Sequence, residues 1–135
     1  MDEDNFKIWK NSSNIHCLFF DGAKKGNRGA AGGGGIVFRL DGTKEVRYAY
    51  GLGKCTNNQA EALALLQGIR LLKTHGIEHA IIIGDSQSII SSMVKNRTPR
   101  DIKLKQIVLK IQRLVSSFQI LSFFHVLRNN NKEVD

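Results

Sequence analysis

Two short apolar runs, IHCLFF at 15–20 and HAIIIG at 79–84, each stop at an aspartate, Asp21 and Asp85. Runs of this length, rich in β-branched and aromatic residues, read as buried strands. Between them Ala62, Leu65, Leu66, Ile69 and Leu72 recur at helical spacing and make one apolar face. A helix over 56–75 is therefore expected, capped by Asn57 or Asn58 and stopped at Gly76. A carboxylate after each of two strands limits what the chain can build. In open α/β sheets ligand sites form outside the carboxyl ends of strands, and parallel neighbours would bring Asp21 and Asp85 to one spot.

The remaining segments extend the same pattern. The turn-rich basic stretch GAKKGNRG at 22–29 reads as a loop. Strands are expected near 31–40 and 44–53, joined antiparallel through an Asp41-Gly42 turn. A short helix at 86–94 would be capped by Ser86, and Pro99 lies in a basic connection. A longer helix at 102–115 would bury Leu104, Val108, Ile111 and Val115, and a last strand covers 119–125. Residues 1–13 are polar and patternless and read as a leader or linker remnant, leaving 14–135 as one domain. With 135 residues and 41% hydrophobic content, a single core is affordable. The fold class is α/β, a mixed sheet flanked by helices.

Lys and Arg number 20 against 12 Asp and Glu, a net charge of +8. That balance points to a polyanionic partner, most commonly nucleic acid. No stretch reaches the ~20 apolar residues of a membrane span, and the charged MDEDNFKIWK start is no secretory signal. An intracellular protein, cytoplasmic or nuclear, is expected. Cys17 and Cys55 are far apart, with no Cys/His cluster, so a structural zinc site is not indicated and both read as buried thiols.

Glu61 lies early in the first long helix, where it can be aimed at the same spot as the two aspartates. Converging carboxylates repel unless cations neutralise them, and hard divalent ions with oxygen ligands, Mg²⁺ above all, suit such a site. Two ions ~3.5–4 Å apart can activate a water and stabilise the leaving oxygen of a phosphodiester. An aspartate after a strand can equally be a plain turn former, so each carboxylate by itself is weak.

The blocks LFFDGAKKGN, TNNQAEALALLQGI, IIIGDSQSII and FFHVLRNNNKEVD, in this order and spacing, resemble ribonuclease H domains of the plant and retroelement reverse-transcriptase-associated type. The resemblance runs from about residue 15 to 135. It implies a five-stranded mixed sheet and hydrolysis of the RNA strand of RNA–DNA hybrids with two Mg²⁺ ions, Mn²⁺ being the alternative. It makes Asp21, Glu61, Asp85 and Asp135 the metal ligands. His125 matches a mobile-loop histidine that assists proton transfer or product release. Asn58 and Gln87 match readers of the minor groove and RNA 2′-hydroxyls. Thr56 and Lys54 match positions that hold a phosphate of the DNA strand, and Asn57 and Gly22 are grouped with these nucleic-acid contacts. A monomer is expected, with the hybrid as partner and other duplexes as a further partner class.

Departures from the family pattern are Lys25 and Arg28 in the first loop, Val134 where a small alanine is usual, and no helix after Asp135. The missing helix makes Asp135 the least anchored ligand and is expected to leave apolar core exposed where it would pack. A catalytically weak or inactive nucleic-acid-binding retroelement fragment is therefore the alternative function. A related exonuclease group opens with Asp-x-Glu, whereas Gly22 and Ala23 follow Asp21. The GGGG run at 32–35 lacks the Gly-Lys-Ser/Thr of a phosphate loop and reads as close strand packing or a bulge. His16, His75 and His79 read as structural or surface residues, and Phe118, Phe123 and Phe124 as core. The basic run of Lys95, Arg97, Arg100, Lys103 and Lys105 is either a nucleic-acid contact or a solvated face.

Overall fold

The computed structural model describes residues 16–25, 30–39, 45–95 and 97–126. Strand β1 (His16–Lys25) is central in a five-stranded sheet of order β3-β2-β1-β4-β5. It pairs antiparallel with β2 (Ala30–Arg39), which pairs antiparallel with β3 (Glu45–Lys54). On its other side β1 runs parallel to β4 (His79–Gly84), and β4 parallel to β5 (Ile120–His125). The helices among the described residues are α1 (Asn57–Thr74), α2 (Gln87–Val94) and α3 (Ile102–Val115).

Alternation along β1 divides the core. Leu18 and Phe20 face the helices and join Leu65, Ile69, Leu72, Ile82, Val108 and Ile111 in the main cluster. Cys17 faces the other way, in a smaller cluster with Ile81, Ile83 and Val126. β4 is buried from Ala80 through Gly84, as expected of a strand covered on both faces. The five apolar residues of α1 and three of the four in α3 are buried, while Val115 is half-buried.

Several expectations need correction. β1 runs on through residues 21–25, so Asp21 lies within a strand and the first part of the expected loop is strand, while 26–29 lie outside the described residues. Gly34, Gly33 and Gly32 stand opposite Asp21, Gly22 and Ala23, and the antiparallel ladder continues through these pairs. A phosphate loop is not formed there. Gly33 fits closely against Ala64 and Leu52, and a register shift between Ala31 and Gly32 marks a bulge. The cap of α1 is Thr56, not an asparagine, and Ser86 caps α2 without a side-chain hydrogen bond. Gly76, at φ +71°, ends α1 as expected. Cys55 is only half-buried. On the sheet face away from the helices, Cys17, Ile81, Ile83 and Val126 are at most 8% exposed, and the half-buried Phe19, Phe38 and Phe124 pack against them. Phe19 and Phe38 stack with ring centroids 5.7 Å apart. The Asp41-Gly42 turn lies outside the described residues.

Candidate metal centre and nucleic-acid interface

The parallel ladder between β1 and β4 ends at Phe19 opposite Ile83, while β1 itself continues along β2. Asp21 thus lies beyond the end of that ladder, and Asp85 follows directly on β4. Glu61 comes from the second turn of α1. One carboxylate oxygen from each of Asp21, Glu61 and Asp85 lies within 4.8 Å of the others. Asp21 is exposed and the other two half-buried, so the cluster opens to solvent on one side.

Gly22 makes this meeting possible. A Cβ there would fall on the Ala60 carbonyl group and the Glu61 amide nitrogen, so only glycine lets α1 press its backbone onto β1 beside Asp21. The structure thus gives Gly22 a packing role, and it is buried. The N-terminal ends of α1 and α2 add partial positive charge near the acids.

The donor set consists of carboxylate oxygens without sulfur or imidazole. It fits a hard divalent ion, bound through a few carboxylates with its remaining positions left to water or phosphate.

His125 ends β5 opposite Gly84, and its Nε2 is 3.1 Å from the backbone oxygen of Asp85. A carbonyl oxygen only accepts, so Nε2 carries the proton in this contact. The residue therefore sits at the end of a strand, against the backbone of Asp85, rather than on a loop. Asp135 lies outside the described residues.

Thr56, Asn57 and Asn58 are exposed at the start of α1, Lys54 is exposed at the end of β3, and Gln87 is exposed at the start of α2. The Thr56 hydroxyl oxygen accepts from the Gln59 amide at 3.1 Å. His75 and His79 are engaged locally, with Leu71 O at 2.9 Å and Gln119 Oε1 at 2.7 Å respectively. Lys95, Arg97, Arg100, Lys103 and Lys105 are all exposed.

Sequence reasoning passed over Gln59 and Asp101. Gln59 is buried, and its Nε2 donates to Asp101 Oδ2 at 3.1 Å. Hydrogen bonds from the Leu104 amide and then Gln59 hold the Asp101 carboxyl below the ordinary aspartate value of 3.8. The spacing T-x-x-Q, a capping-box signature, could have located Gln59; nothing local pointed to its partner.

The family described as reverse transcriptase-like matches residues 19–135. A ribonuclease HI of Halobacterium salinarum is 30% identical over 121 residues, covering 90% of this chain and 60% of that protein. The chain thus spans about 60% of this relative's length. The crystal structure of RNase H1 from the same archaeon superposes with a TM-score of 0.80 at 28% identity, covering 88% of this chain and 90% of that one. LC11-RNase H1, solved in complex with an RNA/DNA hybrid, gives 0.77 at 25% identity, covering 87% and 89%. The shared fold is the ribonuclease H fold, seen here as a five-stranded mixed sheet with three helices among the described residues.

Proposed function

Because this chain belongs to the reverse transcriptase-like family, we propose that it is an endonuclease hydrolysing the RNA strand of RNA–DNA hybrids. The observation that carries this reading is the convergence of Asp21, Glu61 and Asp85 from β1, α1 and the end of β4. These three would hold Mg²⁺, or Mn²⁺ in its place, with Asp135 as a fourth ligand. Two bound ions would polarise the attacking water and neutralise charge at the leaving oxygen. The chain's own groups bind and orient. Asn58 and Gln87 are assigned to RNA 2′-hydroxyls, the feature that separates RNA from DNA. Thr56 and Lys54, with Asn57 beside them, are assigned to a phosphate of the DNA strand. His125, its Nε2–H directed at the Asp85 carbonyl, is assigned to proton transfer or product release next to that carboxylate.

Within the family, the plant and retroelement type is our finer placement, on the four sequence blocks. Residues 14–135 form the proposed domain and 1–13 a leader. We place the protein in the reducing interior of a cell, where cysteines such as Cys55 stay as thiols. It is expected to act as a monomer.

The test is incubation with labelled hybrid, duplex RNA and duplex DNA, with and without Mg²⁺, for the parent and Asp21→Asn. The parent should cut only the RNA of the hybrid, and only with the ion. Asp21→Asn should lose at least ~10²-fold in rate, the scale of removing one charge-stabilising group, while retaining its fold and hybrid binding. In metal-free buffer its thermal midpoint should equal or exceed the parent's, since carboxylate repulsion is relieved. Substantial cleavage by Asp21→Asn would displace Asp21 from the mechanism. Hybrid binding without ion-dependent cleavage by the parent would favour the inactive binding module.

A further inference from the structure

Gln59 is the one polar side chain in the buried class among the described residues, at 7% exposed. Its Oε1 accepts from the Thr56 amide at 3.1 Å and closes the capping box at the start of α1. Its Nε2 donates to Oδ2 of Asp101 at 3.1 Å, and that same oxygen accepts from the Leu104 amide at 2.8 Å, capping α3. One side-chain amide therefore links the N-terminal ends of two helices that are distant in sequence. A buried amide left unmatched costs about 1–3 kcal/mol, so both of its bonds are held and the spacing they impose is stiff.

Each linked end is flanked by exposed groups suited to nucleic acid. Thr56, Asn57 and Asn58 lie at the start of α1, and Arg100, Lys103 and Lys105 surround the start of α3. We propose that Gln59, acting through Asp101, is a positioning residue that sets the spacing between these two ends and so the duplex shape the surface accepts. This rests on the hybrid-binding reading above. Double-helical nucleic acid containing RNA is recognised largely by shape. Two contact elements at a fixed separation discriminate between duplex geometries, whereas loosely coupled ones adapt to either.

Asp101→Ser keeps a good helix cap but is too short to reach Gln59 as well. Asp101→Asn offers an amide oxygen to both donors. Gln59→Met removes the link from the other side at nearly constant volume. Affinities for hybrid and for duplex DNA of one sequence are measured in metal-free buffer, with KM, kcat and thermal midpoints alongside. Asp101→Ser and Gln59→Met should lose about tenfold in hybrid affinity, the scale of one hydrogen bond, with duplex DNA affinity nearly unchanged. KM should rise without a matching fall in kcat, and Asp101→Asn should keep the parent's hybrid-to-duplex ratio.

A merely structural link would lower thermal midpoints and leave that ratio unaltered, and this result overturns the proposal. So does unfolding of both Asp101→Ser and Gln59→Met, since the link would then serve stability. If one of the two folds, it decides by its ratio. Should the parent itself show no preference for hybrid, the functional reading fails and takes the proposal with it.

Discussion

A single hydrogen is all that position 22 can carry. A methyl group there would meet the Ala60 carbonyl group and the Glu61 amide, which are backbone and cannot rotate away. Gly22→Ala must therefore push α1 off β1, and overpacking of that kind costs about 1–3 kcal/mol. The same displacement carries Glu61 away from Asp21. The expected outcome is a lower urea midpoint together with weaker Mg²⁺ binding by calorimetry. A variant that unfolds more easily but binds the ion normally would show that helix and strand re-dock without moving the acids. At this scale the sequence was informative about identity but silent about distance. Asp21, Glu61 and Asp85 could be picked out, whereas the reason Gly22 follows Asp21 appears only once the opposing backbone is in place.

Among the elements, the start of α3 has a testable acid sensitivity. The Asp101 carboxyl is held below 3.8 by the Leu104 amide and then by Gln59. A depressed folded-state pKa means that its stabilisation is complete above the unfolded value and is lost as pH falls through the folded one. Thermal midpoints of the parent should drop more steeply below the ordinary aspartate value of 3.8 than those of Asp101→Asn, which has no charge to lose. Parallel curves would remove Asp101 as a source of acid sensitivity. The order and type of the eight elements among the described residues were legible from hydrophobic period and turn residues, because each segment buries one face or two. Two features were not. The extension of β1 past Asp21 depends on its glycine partners in β2, a pairing the local sequence of β1 does not contain. The cap of α1 fell to Thr56 because its hydroxyl accepts from the Gln59 backbone amide while the Gln59 side chain, buried three residues on, accepts from the Thr56 amide in return.

For the molecule as a whole, if the chain binds hybrid as proposed, the net charge of +8 and the exposed basic residues around α3 would set how that binding responds to salt. If ~6 phosphates are neutralised, hybrid affinity should fall by about 10³-fold between 50 and 200 mM salt, through counterion release. Replacing Asn58 and Gln87 together by Ala should leave that slope unchanged and weaken hybrid binding more than duplex DNA binding. Equal losses on the two duplexes would detach these residues from 2′-hydroxyl recognition. The central place of β1 has another outcome. It meets β2 through a local hairpin, but it meets β4 only after β2, β3 and α1 have passed, with His16 opposite Ala80. Pairings so distant along the chain are slow to close. Asp21 and Asp85 therefore become neighbours only when that late pairing is made. If that pairing closes late, a refolding chain would have no assembled ion site before its transition state, and a divalent ion bound there should act chiefly as a brake on unfolding, leaving the rate of folding almost untouched.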